Sequence, residues 1–396
     1  MKVVHLSTRY PPGPGGVERH VQELAHRQRA RGWEVSVLTS DLFTEIPWRR
    51  LIPPGPLADD EGVHIHRHRA YSLEGELHYP VLPGLFFDLR RERPDLAHVH
   101  TYGTYQGFSA WIARRLRGIP YVLTAHFHPT WSIWGGRRRQ SLRRFYDRFL
   151  GGTIVRGASR LIVQTREEMR LVQEVVSDLS PVAIIPPGHK PLRLPQADRP
   201  SVRTAWGVPG RYILFVGRLA SNKGLLTLAE AFGLLAAHHP DLSLVLVGQD
   251  GGERPNLEAR LRALGLSERV KLVGHLEDES MLAAAYHGAE VLVLPSEYEA
   301  FGLVLVEALS LGTPVVATRV GGMPEVVEEG RNGYLVPARD PPRLAEAVER
   351  ILADPQERDR MGRYGREVTA PRYRWETVTD QVLQLYAEVL REPRGG

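Results

Sequence analysis

The sequence predicts an α/β protein made of two doubly wound, parallel-sheet domains. Three observations predict it. Short apolar and β-branched runs alternate with helix-length amphipathic segments, the alternation restarts after a proline-rich stretch in mid-chain, and 396 residues suffice for two cores. Strands joined through helices run parallel with both faces covered. Right-handed crossovers then place ligands at the carboxyl ends of the strands.

Residues 2–7 open the chain as a strand, followed by a Gly/Pro loop at 11–16 and an amphipathic helix over about 17–31. Residues 34–39, 63–67, 96–100, 121–124, 161–164 and 183–185 read as further strands, with a helix near 107–116. The stretch 186–209, rich in proline and without periodicity, reads as a linker. A second series follows, with strands at 212–216, 242–248, 270–273, 291–294 and 314–317. Its helices fall at about 224–238, 256–264, 281–287, 303–311 and 342–353. Val378, Val382, Leu385, Tyr386 and Val389 share one face of a closing helix over 375–390. The expected division is 1–190, 191–374 and a terminal helix, 375–396, with a cleft between the two domains.

Composition excludes several classes. With no cysteine there are no disulfides, thiol nucleophiles or thiolate metal sites. No run approaches 18 apolar residues, and Ser7-Thr8-Arg9 interrupts the N-terminus too early for a signal peptide, so the expected location is the cytoplasm. Residues 1–190 hold 27 Lys+Arg against 18 Asp+Glu, leaving 24 against 28 for the rest. A basic first half suits an anionic partner or membrane surface, and equally a solvated arginine-rich face. The pI of 9.4 permits nucleic-acid binding, but no nucleic-acid module is present and no such partner is expected.

The most informative stretch is Pro295-Ser296-Glu297-Tyr298-Glu299-Ala300-Phe301-Gly302-Leu303-Val304-Leu305-Val306-Glu307. It reads as a buried strand end, a loop holding Glu299, and a helix carrying Glu307 one turn in. The amides of Phe301, Gly302 and Leu303 fall at that helix's amino end, where unpaired N–H groups and the macrodipole favour a phosphate. A phosphate seat flanked by two carboxylates that accept from hydroxyls fits a sugar nucleotide. Gly217-Arg218-Leu219-Ala220-Ser221-Asn222-Lys223-Gly224 follows another strand, and an Arg fork beside a Lys point charge suits a diphosphate.

Together with Val320-Gly321-Gly322-Met323-Pro324-Glu325 and Asn332-Gly333-Tyr334-Leu335-Val336, these motifs resemble the retaining glycosyltransferases of family 4, the group 1 enzymes of GT-B architecture. The resemblance covers essentially the whole chain in order and spacing. It implies two Rossmann-like domains, a nucleotide-sugar donor in the C-terminal domain and an acceptor presented by the N-terminal domain, to which the last helix returns. Arg218, Lys223 and the amides of Phe301, Gly302 and Leu303 correspond to the diphosphate site. Glu307 corresponds to the residue for the ribose hydroxyls and Glu299 to that for the sugar hydroxyls, with a covalent nucleophile as the alternative for Glu299. Gly15 and Gly16 match the loop that approaches donor phosphate and acceptor. His126, in Thr124-Ala125-His126-Phe127-His128-Pro129, matches a residue facing the reaction centre, and His100 an acceptor-side position. The implied product is a polysaccharide or glycoconjugate.

The chain departs from the pattern at Pro186-Pro187-Gly188-His189-Lys190 and at Gly248-Gln249-Asp250-Gly251-Gly252. Glu18 stands where a dinucleotide fingerprint needs its third glycine, which opposes a NAD-dependent enzyme. A nucleotide-sugar epimerase of the same fold is the nearer alternative. No H-x-x-x-H or H-E-x-x-H motif falls on an expected helix and no Asp-x-Asp motif occurs, so neither metal nor cofactor is expected. Donor base and sugar stay open among UDP-glucose, UDP-GlcNAc and GDP-mannose. Finally, residues 137–150 form a basic amphipathic stretch whose Leu142, Phe145 and Phe149 stripe either packs on the domain or meets an anionic membrane carrying a lipid-linked acceptor.

Overall fold

The structure, a computed structural model, describes residues 1–45, 47–51, 58–72, 79–127, 137–194 and 202–392, with the backbone alone for Ala58, Arg138 and Arg139. His128, Pro129 and residues 195–201 of the expected linker lie outside them. The chain divides into two compact units: Met1–Gly188 with the segment from Trp375 onward, and His189–Arg374.

In the first unit the strands are β1 (Lys2–Leu6), β2 (Glu34–Ser40), β3 (Leu42–Thr44), β4 (Arg49–Arg50), β5 (Ala58–Asp60), β6 (Val63–His68), β7 (Leu96–His100), β8 (Tyr121–Thr124), β9 (Arg160–Val163) and β10 (Val182–Ile184). The main sheet runs β10-β9-β8-β7-β1-β2-β6-β5, and only β5 is antiparallel; β3 and β4 form a separate ribbon. The order reverses between β1 and β7, which makes the carboxyl ends of those two strands a topological switch point.

The pleat assigns β1's residues to two layers. Val4 and Leu6 join a core with Leu38, Val99, Ala110 and Val172. Val3 joins the opposite core with Val21, Leu24, Val35 and Val122. That second layer is completed by helix Trp375–Arg391, whose Val378, Val382, Leu385, Tyr386 and Val389 are all buried against helix Gly16–Ala30 and its surroundings. Each such side chain contributes about 1.5–3 kcal/mol on leaving water, so the last helix is an integral part of the first unit. Gly188 lies against the Trp375 indole, where a Cβ would stand 2.2 Å from a ring carbon.

The second unit holds β11 (Arg211–Val216), β12 (Leu242–Val247), β13 (Val270–Gly274), β14 (Val291–Leu294), β15 (Val315–Thr318) and β16 (Gly333–Val336). All pair in parallel in the order β13-β12-β11-β14-β15-β16, again reversing between the first strand and the fourth. β16 is an element that the sequence reading left as a motif. Helix Val202–Trp206 lies within the stretch read as linker, and its Val202 enters the second unit's core.

Among the described residues, the 137–150 stripe is left largely exposed. Helix Arg137–Tyr146 and the following π-turn are pinned from their inner side, where Tyr102 Oη donates to Asp147 at 2.8 Å and Tyr146 meets the Tyr102 ring. Leu142, Phe145 and Phe149 stay 46%, 60% and 55% exposed.

Candidate functional site

Every expected site residue of the second unit sits at the carboxyl ends of β11 and β14, either side of the switch point. Arg218 is exposed, the second residue past β11. A single 3₁₀ turn, Ser221–Lys223, then brings the Lys223 ammonium to 2.5 Å from Glu299 Oε2, in the loop after β14. The two loops are locked by backbone. Glu297 N–H donates to Asn222 O at 2.9 Å, and a Cβ on Gly224 (φ +65°) would stand 2.0 Å from Pro295 O. Gly321 (φ +54°) fits under Glu299 because a Cβ there would stand 1.8 Å from its carbonyl oxygen, and Gly322 N–H donates to that same oxygen at 3.1 Å. These contacts give the Gly321-Gly322 pair a physical role: they hold the Glu299 backbone in place.

Gly302 (φ +87°) caps helix Leu303–Ser310, and the first amides of that helix have no carbonyl one turn behind them. Phe301 turns inward to pack edge-on against Tyr373, 5.3 Å between centroids. Glu307, partly buried one turn into the helix, accepts from Tyr286 Oη at 2.7 Å. Burial pushes the Glu307 carboxyl above its ordinary pKa and the Tyr286 hydrogen bond opposes that rise. A fixed carboxylate, a lysine and helix-end amides thus share one rim of the sheet.

The first unit repeats this placement. Gly15 and Gly16 follow β1, His100 ends β7, and His126 lies two residues past β8. Gly15 (φ +154°) has an internal reason to be glycine, since a Cβ would stand 1.9 Å from Glu18 Oε2; Gly16 faces open space instead. Glu18 is buried and paired with Arg9 at 2.7 Å, which braces the loop. His126 holds φ +42°, unusual for a residue with a Cβ, and burial lowers its pKa to about 4, so the ring is neutral. Its Nε2 is buried without a hydrogen-bond partner.

His100 belongs to a buried network that the sequence reading missed. Gln28 Nε2 donates to Tyr386 Oη at 3.3 Å, Tyr386 donates to His98 Nδ1 at 2.5 Å, and His98 Nε2 donates to Thr124 Oγ1 at 2.7 Å. Gln28 Oε1 then accepts from His5 Nε2 at 2.7 Å, leaving His5 Nδ1 to accept from His100 Nε2 at 2.9 Å. These proton positions are assigned from the network. They leave His100 Nδ1 as a bare acceptor, buried and unpartnered. Glu168, also missed, accepts from the amides of Phe127 (2.6 Å) and Gln164 (2.5 Å) and so fixes the turn behind His126. Its signal was present as Thr165-x-x-Glu168, a helix-start box whose Thr165 Oγ1 accepts from Glu168 N at 3.0 Å.

Among the described residues, three groups place ligand-type atoms within 4.8 Å of one another: His5/His98/His100, His20/His100/His126 and His66/His68/Asp88. Sequence spacing could not show them, because most of the ligands come from separate elements. The ring nitrogens of His5 and His98 are committed to hydrogen bonds, so the first group is closed. No helix among the described residues is long and apolar enough to cross a membrane.

Comparisons with known proteins identify the family and the fold. Residues 15–188 match a glycosyl transferase 4-like domain and residues 201–368 the glycosyl transferases group 1. The chain is 35% identical over 318 residues to the D-inositol 3-phosphate glycosyltransferase of Corynebacterium urealyticum, covering 76% of this chain and 73% of that one. It is 31% identical to the enzyme of the same name from Acidothermus cellulolyticus, over 100% of this chain and 91% of the relative. Among solved structures, sucrose-phosphate synthase from Thermosynechococcus elongatus superposes with a TM-score of 0.74 at 28% identity, covering 98% of each chain. With two Rossmann-like units, the ordered motifs and these relatives, the chain belongs to the group 1, family 4 glycosyltransferases of GT-B fold.

Proposed function

We propose that this glycosyltransferase moves a sugar from a nucleoside-diphosphate sugar to a glycan or lipid-linked acceptor, with retained anomeric configuration and without a metal ion. The observation that carries the proposal is the Lys223–Glu299 pair beside the amino end of helix Leu303–Ser310. Arg218, Lys223 and the amides of Phe301, Gly302 and Leu303 grip the diphosphate, while Glu307 takes the ribose hydroxyls and Glu299 the sugar hydroxyls. The C1–O bond to the diphosphate breaks as the acceptor oxygen bonds C1 from the same face. The acceptor proton passes to the departing phosphate oxygen, and fixed cationic and N–H groups stabilise the charge developing there. Neutral His126, with Nε2 unpaired, offers a hydrogen bond to a donor-sugar hydroxyl, and His100 is assigned to the acceptor side. Gly15 and Gly16 let the backbone of the β1 loop approach the substrates.

A panel of UDP-, GDP- and ADP-sugars, scored by released nucleoside diphosphate, tests this reading. One donor class should turn over, give an α-glycoside from an α-linked donor by NMR, and do so in EDTA. Binding of NAD but of no nucleoside diphosphate would defeat the proposal; EDTA-abolished turnover restored by Mn²⁺ would defeat its metal-free part. Relatives named for D-inositol 3-phosphate favour a second acceptor reading, a small phosphorylated polyol. That compound belongs in the acceptor panel beside lipid-linked glycans. The exposed Leu142, Phe145 and Phe149, flanked by Arg137, Arg144 and Arg148, support peripheral contact with an anionic membrane.

A further inference from the structure

β6 carries His66 and His68 on either side of Arg67, so both side chains leave the same face of the sheet. Their rings stack with centroids 4.5 Å apart and planes 15° from parallel. Asp88, in the first turn of helix Leu85–Glu92, brings one oxygen to both. Oδ2 lies 3.5 Å from His66 Nδ1 and 3.6 Å from His68 Nε2. In the sheet, β2 separates β6 from β1, so this cluster stands apart from the β1/β7 switch point.

Those separations are longer than a normal N–H···O hydrogen bond, which spans about 2.7–3.2 Å. His68 is 6% exposed and its Nε2 has no hydrogen-bond partner, an arrangement that destabilises a fold unless something else satisfies the nitrogen. A tetrahedral ion with bonds of about 2.0–2.1 Å sets neighbouring ligand atoms about 3.3 Å apart. The Asp88–His separations sit close to that edge, and all three ligand atoms lie within 4.8 Å of one another.

We propose that His66 Nδ1, His68 Nε2 and Asp88 Oδ2 form a divalent transition-metal site of the zinc class, tying helix Leu85–Glu92 to β6. Two imidazoles and one carboxylate suit Zn²⁺ rather than Mg²⁺ or Ca²⁺, which prefer all-oxygen shells. His66 and Asp88, 32% and 24% exposed at their side chains, leave an approach through which water completes the coordination. The ion's role is structural, so the proposal is independent of the transfer chemistry.

The test uses the full chain, stripped with EDTA, reloaded with Zn²⁺ and dialysed against a weak chelator, with metal content measured directly. Wild type should retain a zinc equivalent that His66→Gln and Asp88→Asn lose, with binding weakened about tenfold or more. Zn²⁺ should raise the melting temperature of wild type and leave that of His66→Gln unchanged. Both variants alter partly exposed side chains, and circular dichroism confirms that they fold. Because His20, His100 and His126 form another candidate group, His126→Gln is the control and should keep the equivalent. Equal zinc in wild type and His66→Gln, no retained zinc in wild type, or loss in His126→Gln instead would each overturn the proposal.

Discussion

Lys223 Nζ stands 2.5 Å from Glu299 Oε2, joining the loops after β11 and β14 across 76 positions of sequence. Both side chains are about one-fifth exposed, so the lost hydration of the two charges offsets much of their attraction and the pair is weak evidence for stability. In the proposed reaction the pair positions both groups against the donor. Lys223→Ala should lower kcat/KM about 10²–10³-fold while the melting temperature moves by only a few degrees. Glu299→Gln should keep diphosphate binding and lose turnover. A Lys223→Ala enzyme within threefold of wild type would remove the lysine from the site.

Tyr286 Oη donates to Glu307 Oε2, and that bond opposes the burial that raises the carboxyl's pKa. Tyr286→Phe removes the opposing contribution, so Glu307 protonates at higher pH and loses acceptor capacity. Nucleoside diphosphate affinity should fall several-fold in the variant, and fall further at pH 6 than at pH 8. Calorimetry at both pH values checks this; a deficit that does not depend on pH would mean Tyr286 acts only through packing.

The fold was readable because central strands such as 212–216 and 291–294 are unbroken apolar runs, fully covered in the structure. β16 was not, since its four residues begin with glycine and resemble a turn. The strand-end placement of Arg218, Lys223, Glu299 and Glu307 was legible because loops at strand ends keep fixed spacing to their strands. The His5–His100 and Tyr386–His98 links were not, because they join residues 95 and 288 positions apart that each look like core. Gly15 was legible as a constrained glycine, yet the constraint is Glu18 of its own helix.

The uncovered Leu142, Phe145 and Phe149 face makes a membrane prediction. Phe145 and Phe149 contact each other, 4.7 Å between centroids, and Arg148 lies over Phe149, so a compact apolar ridge is edged by cations. Vesicles with anionic lipid should float the protein and neutral vesicles should not. Phe145→Ser with Phe149→Ser should abolish flotation without changing turnover of a soluble acceptor. Equal non-binding to both vesicle types would leave the ridge without this role.

Buried histidines predict an acid limit to stability. Burial lowers His5 and His68 to a pKa of about 4 and His98 and His100 well below the usual 6.5. The native state holds these rings neutral while the unfolded chain protonates them as pH falls below 6.5. The unfolded state then binds more protons, so stability drops with falling pH through the window from 6.5 to 4. Glu168 acts the other way, because burial raises its folded pKa to about 7 and its carboxyl destabilises the fold as pH rises from 4.5 to 7. His20 and His126 are lowered in the same way, so six histidines outnumber the four glutamates whose carboxyls burial raises, Glu18, Glu45, Glu168 and Glu307. Urea midpoints of the full chain should therefore fall steeply between pH 6.5 and 5. Glu168→Gln should steepen that fall, since it removes one of the opposing groups, and a flat urea midpoint from pH 7 to 5 would show that the rings are not held neutral.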